Sequence, residues 1–577
     1  MNPIEKERLN RRVAVLGGLF LLAMLAIAVR TVHLHVFRGD WLAQKAARQV
    51  QGTQTIRGKR GVIYDARGRE MAISVESTSI GVRPRQVADP ARAARELARA
   101  LDLNPGRTQL NLLSRRNFLW LKRQATPREV HAVRELGLNG LEFIPEPSRF
   151  YPNRGLAAQV LGFTGVDGNG LEGLEFSFDA ALRGGSRSLN IRRDALGKTF
   201  HAERAVDAAA SGGRNLVLTI DRTIQYIAER ALESAVAGAE ASSGMAVVLE
   251  PRTGAVLAMA NVPLFNPNAF GRFPRSAWRN RTVADAFEPG STMKIFSAAG
   301  AIESGGCTPD TIFFCENGKY RIGKDTIHDI RPHGWLTLRK IIKYSSNIGA
   351  VKISEMIGPD LLYRTLRDFG FGRRTGIDWP GESPGSLSSP GRWSEIDTGA
   401  ISFGHGISVS ALQLVAAASA IANDGVLMRP YLIRAVTDPS GKPVETREPE
   451  AVRRVISEGT ARIVREMMRG AVAEGGTGEA AALDGYSVCG KTGTAQKLDE
   501  NGGYTDAYLA SFVGFVPAED PRLAILVVID DPARNQHYGG VSAAPVFRRI
   551  AQETLNYLNI PPGADRLTAA RKSEAEG

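Results

Sequence analysis

Between Val13 and Val29 the chain carries 17 consecutive residues without a charge, most of them apolar, preceded by Lys6, Arg8, Arg11 and Arg12 and closed by Arg30. A run of this length just spans the hydrocarbon of a bilayer. Apolar positions continue past Arg30 at Val32, Leu34 and Val36, so the pattern predicts a transmembrane helix over residues 13–36. The basic flank sets the tail, residues 1–12, in the cytoplasm and everything after the helix outside it, as a single-pass inner (plasma) membrane protein. Ala26-Ile27-Ala28 also has the small-x-small form of a signal-peptide cleavage site. The run exceeds the ~7–15 residues of a signal core, which favours an anchor that is kept.

Beyond the anchor the chain is polar and Arg-rich to about Asn215, with short strand-like runs such as Gly61-Val62-Ile63-Tyr64 and Ala72-Ile73-Ser74-Val75. Short apolar runs broken by glycines predict an extended α+β module, a pedestal over residues 37–215. From Leu216-Val217-Leu218-Thr219-Ile220 the character changes. Thr223 to Ala237 reads as an amphipathic helix, with Ile224, Ile227, Ala228, Leu232 and Val236 on one face. Ala246 to Leu249 and Ala255 to Ala260 read as a hairpin about Pro251-Arg252-Thr253-Gly254. Ala510 to Val516 and Leu523 to Ile529 form a second strand pair, followed by a helix from Pro545 to Leu558. The expected fold class is α+β, with an antiparallel sheet sandwiched by the terminal helices and a helical insert between them, over residues 216–560. The small polar tail, residues 561–577, reads as disordered.

Composition adds little to this picture. At 577 residues the chain is too long for one core, and 43% hydrophobic with 23% charged residues is ordinary for globular protein. The net charge of +13 would suit nucleic acid, but the basic residues are scattered and no zinc spacing or aromatic-interleaved basic helix occurs. An anionic membrane surface or an acidic substrate explains the charge instead. Cys307, Cys315 and Cys489 are too few for a disulfide framework. Cys307 and Cys315 could pair in an oxidising compartment or remain buried thiols.

Chemistry enters with Pro289-Gly290-Ser291-Thr292-Met293-Lys294, which opens an apolar run through Ile295, Phe296, Ala299 and Ile302 that stops at Gly305-Gly306. The run reads as a buried helix with Ser291 in its first turn, and residues three apart share a helical face. The Lys294 amine can thus reach the Ser291 hydroxyl, which needs a base to become nucleophilic. Apolar surroundings disfavour the charged amine and bring it toward that role. The second element is Ser345-Ser346-Asn347, where a hydroxyl can relay a proton and an amide can bind a substrate carbonyl. The third is Lys491-Thr492-Gly493-Thr494-Ala495, after the strand-like Tyr486-Ser487-Val488-Cys489. An edge strand there offers N–H groups to an extended peptide, Gly493 allows close approach, and Lys491 with Thr492 can hold a carboxylate. Alone, each motif is equally a helix start, a polar helix end or a guarded sheet edge. The ordered trio S-x-x-K, S-x-N and K-T-G is far more specific. Ser188-Leu189-Asn190 copies the second element but precedes Ser291, and order discards it.

With these motifs the sequence resembles a division-type class B penicillin-binding protein, along most of its length. Arg60-Gly61-Val62-Ile63-Tyr64-Asp65 with Gly68 is similar to that family's signature beyond its membrane helix. Arg149-Phe150-Tyr151-Pro152 and Gly170-Leu171-Glu172-Gly173-Leu174-Glu175 are similar to its later pedestal motifs. The resemblance implies a penicillin-binding transpeptidase domain with Ser291 as acylated nucleophile, Lys294 as base and Ser345 as the first functional position of S-x-N. Asn347, Lys491, Thr492, Gly493 and Thr494 would bind substrate, with the N–H groups of Ser291 and Thr494 as oxyanion hole. It implies peptidoglycan stem peptides as substrate, β-lactams as inhibitors, a membrane-embedded glycosyltransferase and division proteins as partners, and neither metal nor organic cofactor.

A serine β-lactamase would share the trio but needs a Glu for hydrolysis, usually in an E-x-x-L-N loop. None lies between Asn347 and Lys491, and Glu135-Leu136-Gly137-Leu138-Asn139 is far upstream. A bifunctional synthase would need a glycosyltransferase domain where the pedestal motifs stand. An elongation-type enzyme and a β-lactam sensor or scaffold are the remaining alternatives. Ser345-Ser346-Asn347-Ile348-Gly349 looks more like the division type. His328, His333 and His405 match no metal spacing; His405, in Gly404-His405-Gly406, could border the cleft but reads first as a loop histidine.

Overall fold

The computed structural model describes residues 3–193, 199–202, 212–498 and 503–563, so the tail expected to be disordered lies, from residue 564 on, outside the described residues. The chain divides into two compact units, Met1–Gly58 with Gly184–Gly212, and Lys59–Arg183 with Gly213–Gly577.

In the first unit the uncharged run lies within a helix, Pro3–Val32, that continues into a π-helical turn, His33–Phe37. Among the described residues Lys6–Phe37 is the one helical segment long and apolar enough to cross a membrane, with a mean hydropathy of 2.4 and none of it buried. A helix apolar on every side suits apolar surroundings. The helix Gly39–Val50 follows, then a three-stranded sheet of Gln51–Arg57, Ser186–Arg193 and Thr199–Ala202. Ser188-Leu189-Asn190 belongs to its middle strand.

The second unit is built on a five-stranded antiparallel sheet in the order Val256–Val262, Ser243–Leu249, Leu523–Asp530, Tyr504–Val516, Cys489–Leu498. Side chains alternate across a strand, and the two faces of this sheet meet different cores. Ala246, Val248, Ile525 and Val527 pack with Leu232 of the helix Arg222–Gly238 and Phe547 of the helix Ala544–Tyr557. Val247, Leu249, Leu526 and Val528 pack with Leu412 and Val415 of the helix Ala411–Ala422. The sheet is sandwiched by helices, but the two terminal helices share one face instead of flanking it. Every residue of Ala411–Ala422 is buried, and a helix without a polar side has no place except between layers.

A seven-stranded sheet joins the segments either side of it. Asn215–Leu218 pairs parallel with Ile63–Tyr64 and antiparallel with Ile433–Thr437, so the boundary expected at residue 215 falls inside a shared strand. The three pedestal motifs converge on Glu175, which is fully buried. Arg60 Nε and Arg149 Nε each donate to its carboxylate at 2.6 Å, and Arg60 Nη1 donates to Asp179 at 2.6 Å. A second junction forms at Asp221, the N-cap of Arg222–Gly238, which accepts from Arg67, Arg69 and Tyr557.

Removing one partner of a buried ion pair strands the other without water. Glu175→Gln should therefore cost about 3–5 kcal/mol, read as a lowered denaturant midpoint of the detergent-solubilised protein. Glu76→Gln, at the exposed pair with Lys59, should hardly move that midpoint.

Candidate active site

The turn that carries Ser291 is shaped by what lies against it. Gly290 takes a φ of +56°, and a Cβ on it would sit 2.6 Å from the Thr494 carbonyl oxygen. A side chain would separate the turn from the neighbouring strand. Ser291 occupies a short 3₁₀ turn, Gly290–Met293, that runs directly into the helix Lys294–Glu303. Lys294 through Ala301 are all buried, so the helix passes through the core with its amine inside.

Lys294 Nζ lies 3.0 Å from Ser291 Oγ. It donates to the Ser345 carbonyl at 2.6 Å and to Asn347 Oδ1 at 2.7 Å, with Ser345 Oγ at 3.2 Å. The carbonyl and the amide oxygen can only accept. They take the two hydrogens of a neutral amine and leave its lone pair for the Ser291 hydroxyl. Burial lowers the lysine to about 7, against a smaller opposing pull from Asp329. A substantial neutral fraction therefore exists near pH 7.

Ser345 and Asn347 reach this point by an abrupt change of direction. The helix Leu338–Tyr344 ends at Ser345, whose φ of +61° is left-handed, and the helix Asn347–Asp368 begins two residues later. Ser346 caps that second helix through Gly349 N at 2.9 Å and donates to Asp329 at 2.6 Å. The spacer residue is structural. Asn347 Nδ2 donates to the His328 carbonyl at 2.9 Å, which turns its oxygen toward Lys294.

Lys491, Thr492, Gly493 and Thr494 lie on the strand Cys489–Leu498, which pairs with Tyr504–Val516 on one side and ends the sheet on the other. A Cβ on Gly493 would be 2.3 Å from Ser511 Oγ and 2.8 Å from the Pro289 carbonyl, so glycine is what lets this strand touch the turn that carries Ser291. Lys491 is fully buried and donates to Ser345 Oγ at 2.9 Å and to the Thr492 carbonyl at 3.1 Å. Burial, then the charge of Lys294, hold its amine well below the usual lysine range. One hydroxyl, Ser345, thus bridges the two amines. Thr492 Oγ1 donates to Thr477 Oγ1 at 3.0 Å, and Thr494 Oγ1 accepts from Gly539 N at 3.2 Å.

All eight residues singled out from the sequence come together at this sheet edge. Sequence reasoning missed others. Asp329 accepts from Asn347 N and Ile348 N at 2.5 and 3.1 Å, from a loop without a motif. His405, for which a place at the border of the cleft is the second reading beside a loop histidine, is in a loop that leans on the turn carrying Ser291: Gly290 N donates to the Gly404 carbonyl at 3.1 Å. His405 Nδ1 lies 3.0 Å from Tyr504 OH and 3.3 Å from Glu288 Oε2. The adjacency of Glu288 to Pro289-Gly290-Ser291 was the available signal. Cys307, Cys315 and Cys489 are buried free thiols, so the Cys307–Cys315 bridge is not formed. Burial pushes the Cys307 thiol up to about 11, away from reactivity. Among the described residues no three His, Cys, Asp or Glu side chains converge as metal ligands.

Residues 244–552 match the family model of the penicillin binding protein transpeptidase domain, and residues 55–218 that of the penicillin-binding protein dimerisation domain. A probable peptidoglycan D,D-transpeptidase, PenA, of Neisseria meningitidis is 35% identical over 99% of this chain and 98% of its own. The peptidoglycan D,D-transpeptidase FtsI of Escherichia coli is 36% identical over 98% of this chain and 94% of its own. Crystal structures of penicillin binding protein 3 from a Mycobacterium, complexed with aztreonam or with ampicillin, superpose with a TM-score of 0.69 at 32% identity. The aztreonam complex covers 88% of this chain and 98% of its own. A dimerisation domain followed by a transpeptidase domain, with a serine and a buried lysine one helical turn apart at the sheet edge, makes this chain a member of the class B penicillin-binding proteins.

Proposed function

We propose that this protein cross-links peptidoglycan stem peptides as a D,D-transpeptidase, with Ser291 as nucleophile and Lys294 as its base. The observation that carries the reading is the 3.0 Å approach of Lys294 Nζ to Ser291 Oγ while two pure acceptors occupy its hydrogens. In the first half-reaction Ser291 Oγ bonds to the carbonyl carbon of the penultimate D-Ala, and its proton passes to Lys294. The tetrahedral oxygen is held by the N–H groups of Ser291 and Thr494. As the peptide bond breaks, the departing D-Ala amine takes a proton through Ser345, which touches both amines. An acceptor stem amine then attacks the ester, releases Ser291 and recovers the starting protonation. The peptide docks along the free edge of Cys489–Leu498, with its terminal carboxylate near Lys491 and Thr492. A β-lactam opens on Ser291 but keeps its amine tethered, which blocks the acceptor.

Residues 37–215 serve as pedestal and 216–560 as catalytic domain, held from an inner-membrane anchor with the N-terminus in the cytoplasm. The basic residues before the apolar helix support that orientation. The Ser345-Ser346-Asn347-Ile348-Gly349 form of the second motif supports a role at the division septum, beside a membrane-embedded glycosyltransferase.

Three measurements test this reading. Intact-protein mass spectrometry after penicillin treatment should give a single adduct on Ser291, absent in Ser291→Ala, whose turnover of a D-Ala-D-Ala stem analogue falls at least ~10³-fold. An adduct without any turnover in the unaltered protein would favour a sensor. The second-order acylation rate should rise about tenfold per pH unit up to about 7 and then level, because only the neutral lysine accepts the proton. A flat profile from pH 5 to 9 would remove Lys294 as base. Ser345→Gly, which suits the left-handed φ but removes the hydroxyl that bridges the two amines, should lower the acylation rate roughly 10²-fold.

A further inference from the structure

The second catalytic motif does not hold itself in place. Its second and third residues, Ser346 and Asn347, are tied to the end of the strand Asp325–His328 and to Asp329, the first residue of the loop that leads to Trp335–Thr337. Asp329 Oδ1 accepts from Asn347 N at 2.5 Å and Ile348 N at 3.1 Å, and its Oδ2 accepts from Ser346 Oγ at 2.6 Å. The preceding carbonyl, of His328, takes Asn347 Nδ2 at 2.9 Å. We propose that Asp329 is a positioning residue that sets both the geometry and the electrostatic balance of the Ser291–Lys294–Ser345 proton path. The proposal rests on the assignment of Lys294 as base.

The geometric half follows from the donors. With its amide nitrogen on His328 and its backbone on Asp329, Asn347 presents its oxygen to Lys294 at 2.7 Å. Ser346, held between Gly349 N and Asp329, fixes the left-handed link through which the Ser345 carbonyl reaches the same amine at 2.6 Å. A carboxylate at a helix N-terminus is stabilised by the free N–H groups there.

The electrostatic half follows from what else surrounds Lys294. Its charged or titratable neighbours are Lys491 and His405, both of which it depresses, and Asp329, which opposes its desolvation. Around Asp329 itself lie Ser346 and Cys315, the latter also facing Glu316 and Lys352. Asp329 thus opposes the effect of burial on Lys294. A lysine too weakly basic takes the serine proton poorly, and one too basic stays charged. Asp329 works through Asn347 and Lys294.

The test is the pH profile of acylation by a fluorescent penicillin, measured on the full-length protein in detergent. Asp329→Asn keeps the shape and removes the charge. Its acid limb should move down by roughly half to one pH unit, and its plateau should fall about ten- to hundredfold. Ser346→Ala, which cuts one bond to Asp329 but no charge, should lower the plateau and leave the limb where it was. A limb that stays at the wild-type pH in Asp329→Asn overturns the proposal and reduces Asp329 to a helix cap, while the adduct on Ser291 keeps the transpeptidase reading intact. Should Asp329→Asn lose its cooperative melt, Asp329→Glu decides: an unmoved limb with a plateau at least tenfold lower supports the proposal, and wild-type rates overturn it.

Discussion

A lysine amine drained of water and still supplied with oxygen acceptors is the constraint around which this molecule is arranged. Burying Lys294 disfavours its charge, yet an amine without partners in the core is costly in either form. The fold resolves this with three elements that meet at the amine. A core helix brings the amine, a left-handed corner between two helices brings the Ser345 carbonyl and the Asn347 oxygen, and a sheet edge brings a second lysine to the same hydroxyl. Each is incomplete alone. The glycines at 290 and 493 are the points where helix and sheet come close enough for the arrangement to close.

Much of this was legible in the sequence because it is local. Ser291 and Lys294 are one turn apart, and the apolar run after them identifies the helix that buries the amine. Helix Arg222–Gly238 and the first hairpin are visible from periodicity and turn residues to within a few positions, while the strand Tyr504–Val516 begins six residues before the apolar run that marks it. What the sequence hides is contact between distant segments. Asp329 stands in a loop whose polarity is unremarkable, and only its proximity to the start of the Asn347 helix gives it a role. Glu288, His405 and Tyr504 come from three separate stretches. The shared face of the two terminal helices is equally unreadable, since strands of the central sheet are apolar on both sides. A strand-centred boundary such as Asn215–Leu218 escapes for the same reason: pairing partners are set by tertiary structure, not by composition.

Between the pedestal motifs and the catalytic sheet, charge is used as mortar. Asp221 caps the first helix of the catalytic portion and at once receives Arg67 and Arg69 from the signature loop and Tyr557 from the last helix. Glu175 does the same for the three pedestal motifs. These carboxylates explain why those motifs are rich in arginine, aromatic residues and glycine: each supplies a fork, a hydroxyl or a tight backbone turn to one buried anion.

That anion is dry, and dryness alters how it meets its surroundings. Mobile ions attenuate charges exposed to water over about 8 Å at physiological salt, but they cannot enter a packed interior. The exposed pair of Lys59 with Glu76 fades as electrolyte is added, whereas the Arg60, Arg149 and Glu175 cluster keeps its strength. The scaffold beneath the catalytic sheet is thereby indifferent to brine or dilution.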